Sequence, residues 1–127
     1  MSKNLIITAS VILLTAIILG AVAAHALEKI LSTELIETFE KGVRFQFYGG
    51  FALLIVGAVA EKFNFSLRWF TILTLLGILL FSVCIYGFCF HTQVPSLKPL
   101  VYIVPVGGFS MISAWLVLII QLIRFQK

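Results

Sequence analysis

Apolar residues fall along this chain in four long runs, separated by short polar clusters. The runs cover about residues 5–24, 43–60, 69–90 and 100–123, the last holding a span somewhere inside it. Each is roughly 18 to 24 residues long, enough for a helix rising 1.5 Å per residue to cross about 30 Å of hydrocarbon. Strands would need about half that length and would alternate in polarity, which these runs do not. The pattern therefore predicts an all-α integral membrane protein. It is a single domain over residues 1–127, with four transmembrane helices in a compact bundle.

The segment between the first two runs has a period of its own. Ile30, Leu31, Leu35, Phe39 and Val43 recur at helical spacing, while Glu34, Glu37, Glu40, Lys41 and Arg44 fill the remaining positions. This predicts an amphipathic helix over about 33–43, lying along the membrane interface ahead of the second span. Thr33 is the expected N-cap, with Glu34 and Glu37 near the positive end of the helix dipole. Glu37–Lys41 and Glu40–Arg44 are acid-first i, i+4 pairs, the favourable order for ion pairing.

Small residues mark where the spans pack, because close backbone approach drives helix association in lipid. Ala16, Gly20 and Ala24 form a four-residue ladder, and Gly50 and Gly57 lie seven apart. So do Gly77 and Cys84, while Gly107, Ser110 and Ala114 make a stripe in the last run. Pro105 lacks an N–H for the carbonyl of Val101, so with Gly107 and Gly108 it predicts that the fourth helix kinks or begins there.

Composition sharpens this picture. Apolar residues make up 61% and charged residues 11%, against about a quarter charged in soluble domains, and mean hydropathy is +1.16. The net charge of +4 has no lysine- or arginine-rich run behind it, so nucleic acid is not an expected partner. In a membrane protein a small basic excess reflects topology. Lys3, Lys62, Arg68, Arg124 and Lys127 fall on one side of the predicted bundle, and Lys29, Lys41, Arg44 and Lys98 on the other. The expected arrangement is multi-pass in the bacterial inner membrane, with both termini cytoplasmic. Lys3, the first apolar run and the Ala21–Ala26 stretch also resemble a cleaved secretory signal. The apolar run is long for one, so a retained first span is expected. Cys84 and Cys89 are five apart, unlike a CxxC motif, and are expected to be apolar packing residues.

Four segments in order are similar to a known family. Gly20-Ala21-Val22-Ala23-Ala24-His25-Ala26-Leu27 resembles the GAxGAHAL signature of the YgdD-like membrane proteins, the family called domain of unknown function 423. Arg44-Phe45-Gln46-Phe47-Tyr48 resembles its R-Y-Q-x-x-H segment, and Leu80-Phe81-Ser82-Val83-Cys84-Ile85-Tyr86 its L-F-S-G-S-L-Y stretch. Pro105-Val106-Gly107-Gly108 with Ala114-Trp115 resembles its P-x-G-G…G-W ending. Ala23 and Val83 stand where the family has glycine, and Gly49 or Gly50 where it has histidine. The resemblance implies a small four-span membrane protein and brings no established activity.

Polar groups within apolar spans are expensive and are functional candidates by default. Here they are His25, Arg44, Gln46, Tyr48, Ser82 and Tyr86. His25 and His91 at one membrane level raise metal or haem ligation, but each is more simply a helix-end or loop residue, and no cofactor is expected. The chain has no aspartate, and its five glutamates lie in predicted loops, so no nucleophile–base–acid set is visible and no enzyme is expected. The expected partners are the lipid bilayer and a membrane protein or a second copy. The expected role is a structural or accessory bundle. The alternative is a small oligomeric channel or transporter using Arg44, Gln46 and Tyr48.

Overall fold

The computed structural model describes residues 1–125, which leaves Lys127 of the charge count outside the described residues. Four long helices follow one another: α1 (Lys3–His25), α2 (Thr33–Ala58), α3 (Arg68–Phe88) and α4 (Val104–Phe125). Short 3₁₀ turns connect them at Leu27–Lys29, Ala60–Lys62 and Pro95–Tyr102. By length and composition, α1, α3 and the Pro95–Phe125 stretch that ends in α4 are each able to cross a membrane.

The expected interfacial helix and second span are one element. Helix α2 runs without a break from Thr33 to Ala58, so its charged first turns and apolar remainder share one axis. The apolar stripe that marks 33–43 continues onto the core face beyond Val43, leaving no reason for the chain to bend. Its N-cap is Ser32, whose hydroxyl accepts from the Leu35 N–H at 3.3 Å, one residue before the expected Thr33. Neither expected i, i+4 pair forms; an ion pair instead joins the Met1 ammonium to Glu61. Exposed pairs gain too little against hydration and side-chain entropy to hold their geometry.

Glycines on two faces of α2 set its place between α1 and α3. A Cβ on Gly50 would meet the Leu13 and Ile12 side chains, and one on Gly57 would meet Leu5 and Ile6, so these glycines seat α1. Gly42 and Gly49 do the same for α3, against Ile85 and Tyr86 and against Ile78 and Thr74. Both pairs repeat every seven residues, the spacing of left-handed helix packing. On α1 the buried residues are Ala9, Ala16 and Ala23, also seven apart. The expected Ala16–Gly20–Ala24 ladder is therefore only partly used, and Ala24 is exposed. The Gly107–Ser110–Ala114 stripe of α4 is buried, and the Ser110 hydroxyl donates to the Leu73 carbonyl of α3 at 2.7 Å.

Helix α3 contains a π-helical turn at Leu79–Val83. Gly107 sits directly on it: a Cβ there would lie 2.3 Å from the Phe81 nitrogen and 2.7 Å from the Leu80 carbonyl carbon. A close backbone approach between α3 and α4 thus coincides with the bulge. Pro105 lies in the first turn of α4, where its missing N–H costs nothing. Helix α4 begins at Val104, one residue before Pro105, the second of the two outcomes expected there.

Buried residues form two clusters. One gathers Ala9, Leu53, Val56, Phe70, Ala114 and Leu118 from all four helices, and the other Ala23, Leu27, Leu31, Phe39, Val43, Ile85 and Cys89. At the first end the chain start is tied to the end of α2, since the Ser2 N–H donates to the Gly57 carbonyl at 2.7 Å. Beside it the Met1 ammonium, chiefly through its hydrogen bond to the carboxylate, holds Glu61 below its ordinary value of 4.5. A carboxyl depressed in this way keeps its contact at neutral pH and releases it as pH falls through the lowered value. A carboxyl NMR titration should give Glu61 a midpoint below its ordinary value of 4.5, and acetylating the amine should erase the difference.

Candidate functional site: a saturated polar hub beside an apolar cleft

The polar candidates divide into two sets that face opposite ways. Gln46 is inside, 5% exposed, where α2 passes between α1 and α3. Its amide donates to the Ile12 carbonyl at 2.9 Å and to the Thr15 hydroxyl at 2.8 Å, and its carbonyl accepts from the Tyr86 hydroxyl at 2.6 Å. Thr15 is in turn bonded to its own helix, at the Val11 and Ile12 carbonyls. One turn away the fully buried Ser82 donates to the Gly42 carbonyl at 2.6 Å. The Tyr86 ring packs on Phe39 with centroids 4.7 Å apart. Both amide hydrogens of Gln46 are used, so the hub binds three helices together and has no donor left for a ligand.

Arg44 and Tyr48 are exposed on the outer face of α2, one turn apart. The expected Arg44–Gln46–Tyr48 cluster is therefore split, because residues two apart on a helix point to nearly opposite faces while residues four apart share one. His25 is exposed at the end of α1. His91 bonds through Nδ1 to the Phe88 carbonyl at 2.8 Å and stacks on the Phe88 ring. Cys84 is half-buried, and Cys89 is fully buried with its thiol donating to the Leu35 carbonyl. Glu34, Glu37 and Glu40 lie on the first turns of α2, within the helix expected over 33–43. Among the described residues, no three His, Cys, Asp or Glu side chains converge as metal ligands.

A lateral cleft of about 410 Å³ opens between α2, α3 and α4. Phe45, Tyr48 and Gly49 form one wall, Thr74 and Phe81 the floor, and Gly108, Met111, Ile112 and Trp115 the other wall. The Phe45 and Phe81 rings meet at 4.6 Å, and the Trp115 ring lies edge-on to the buried Phe70 at 5.4 Å. Phe81 reaches the floor from the π-helical turn. The sequence reading missed this cleft: its residues look like ordinary core aromatics, and nothing in their spacing reveals the bulge. Thr15 was also missed, although it is a polar residue in the middle of an apolar run.

Around these features the surface is apolar where a soluble protein would be polar. Ile7, Val11, Leu14, Ile17 and Ile18 are exposed along α1, and Ile112, Leu116, Ile119 and Ile120 along α4. A few buried polar groups bonded between helices, inside an apolar core and under an apolar belt, mark the class of multi-helix membrane proteins.

Residues 19–108 match the family described as "Protein of unknown function (DUF423)". The UPF0382 membrane protein of Staphylococcus haemolyticus is 34% identical over 106 residues, covering 84% of each chain. That of Staphylococcus epidermidis is 37% identical and that of Staphylococcus aureus (strain bovine RF122) 33%, both over the same length and share. No solved structure matches the chain. The chain belongs to the DUF423 family of membrane proteins, as its four ordered segments imply. Those segments meet in space: Gln46 bonds to Tyr86, and Phe81 lies against Gly107.

Proposed function

We propose that the protein is a non-enzymatic structural or accessory bundle of the bacterial inner membrane, packing with a membrane partner or with itself. In this reading α2 is a fourth crossing, antiparallel to α1, and both termini are cytoplasmic. The contacts of α2 support it: Gly57 lies against Leu5 and Ile6, Gly50 against Ile12 and Leu13, and Gly20 of α1 against Val43. Helix α2 therefore accompanies α1 through most of its depth.

The observation that carries the packing role is the saturation of Gln46. A permeation path keeps polar groups available along its wall, whereas here the buried donors are spent on joining helices. Two measurements test the reading. In a background with Cys84 and Cys89 replaced by alanine, single cysteines at Thr33 and Ser66 should react with impermeant reagents from opposite sides of the membrane. In mild detergent the protein should migrate as an assembly larger than one chain. A strict monomer would sink the packing role, and labelling of both cysteines from one side would sink the fourth crossing.

A further inference from the structure

Two grooves lie in line on one face of α2. Below is the apolar cleft; above it is a charged groove of about 440 Å³ lined by Glu34, Glu37, Thr38, Glu40, Lys41 and Arg44. Glu37, Lys41, Arg44 and Tyr48 fall at helical intervals of four, three and four, so a single stripe leads from the carboxylates to the cleft mouth.

Arg44 is the charged member nearest the apolar cleft. Among the described residues it makes no ion pair or hydrogen bond. Its neighbour Val43 is level with Gly20, and α1 continues five residues further to His25, roughly 8 Å at 1.5 Å per residue. An arginine on an exposed face at that depth is costly without an anionic partner, and its fork geometry suits a phosphate. The groove holds three carboxylates against two cations, Lys41 and Arg44 itself, so a purely anionic headgroup meets repulsion above Arg44, while an ammonium does not. The cleft below falls in the size range of pockets that hold small apolar groups, roughly 300 to 1000 Å³.

We propose that this face binds one phospholipid whose headgroup carries both a phosphate and an ammonium group. The phosphate sits on Arg44, the ammonium reaches Glu37 and Glu40, and one acyl chain enters the cleft between Tyr48, Phe81, Met111 and Trp115. The proposal rests on α2 crossing the bilayer, which the cysteine labelling tests separately from any lipid.

The test is native mass spectrometry of protein released from nanodiscs of equal phosphatidylethanolamine and phosphatidylglycerol. The wild type should retain one phosphatidylethanolamine with about ten-fold preference, the equivalent of one charge-assisted contact. Arg44→Gln should abolish retention, and Glu40→Gln should shift it toward phosphatidylglycerol. Gly108→Leu should block retention by filling the cleft. A Cβ at Gly108 meets nothing nearer than Phe81 Cδ2 at 3.9 Å, so this variant should keep the wild-type melting temperature. Equal retention of both lipids, or retention unchanged in a folded Gly108→Leu variant, would show an unselective lipid shell and overturn the proposal. So would release of a second chain in place of lipid.

Discussion

Gly107→Ala should destabilise the bundle by about 3 kcal/mol or more, at the upper end of the usual cost of overpacking. The added carbon would meet backbone, not a flexible side chain: Phe81 N, Leu80 C and Phe81 Cα all lie within 3 Å of it. Those atoms belong to the π-helical turn, whose hydrogen bonding leaves no slack for a rigid shift. Either α4 moves away from α3 or the turn rewinds to a regular helix, and both open the contact around Ser110 and Ala114. Gly20→Ala is the control, because its Cβ meets only Val43 Cγ1 at an ordinary 3.6 Å. That change should be neutral or stabilising by up to about 1 kcal/mol from helix propensity. Unfolding in mixed micelles, followed by Trp69 and Trp115 fluorescence, reads both variants. Equal stability of the two would refute the close approach at the bulge.

Gln46→Leu should cost about 2 to 3 kcal/mol, although leucine has nearly the same size and suits the surroundings better. The loss arises from the partners left behind: the Tyr86 hydroxyl loses its acceptor, and Thr15 and the Ile12 carbonyl lose a donor. Interhelical hydrogen bonds in membranes are worth about 0.6 to 2 kcal/mol each, and an orphaned buried group adds its desolvation. Tyr86→Phe alone should cost about 1 kcal/mol by the same reasoning. Combined, the two changes should cost less than their sum by about 1 kcal/mol, since the bond between them is lost only once. Strict additivity in that cycle would mean that Gln46 and Tyr86 do not bond, and the three-helix hub would lose its basis.

Particular residues show what was legible beforehand. The apolar runs announced α1, α3 and α4, because a membrane-length stretch of apolar residues has few other solutions. The Gly107–Ser110–Ala114 stripe announced one face of α4 for a similar reason, since small residues at helical spacing have a single use in packing. Helix α2 misled because its halves differ in polarity. Charge along a helix reports its surroundings and carries no information about whether the backbone bends. The choice of Ala9–Ala16–Ala23 over Ala16–Gly20–Ala24 was equally hidden, because both repeats exist in the sequence and only the partner helix selects one.

The polar residues make the same point. Arg44, Gln46 and Tyr48 were visible as a polar group in an apolar run, yet they separate to opposite faces, one side structural and the other facing the cleft. The π-helical turn, and with it the floor of the cleft, depends on where α4 presses against α3.

The sequence by itself determined the helical class, the membrane surroundings and the family, because these follow from composition, run length and ordered segments along one chain. Only the tertiary structure decided the unbroken α2, the Gln46 hub, the unpartnered Arg44 and the cleft beside it. Each of these is a relation between residues far apart in the chain, set by which faces can approach closely enough to bond.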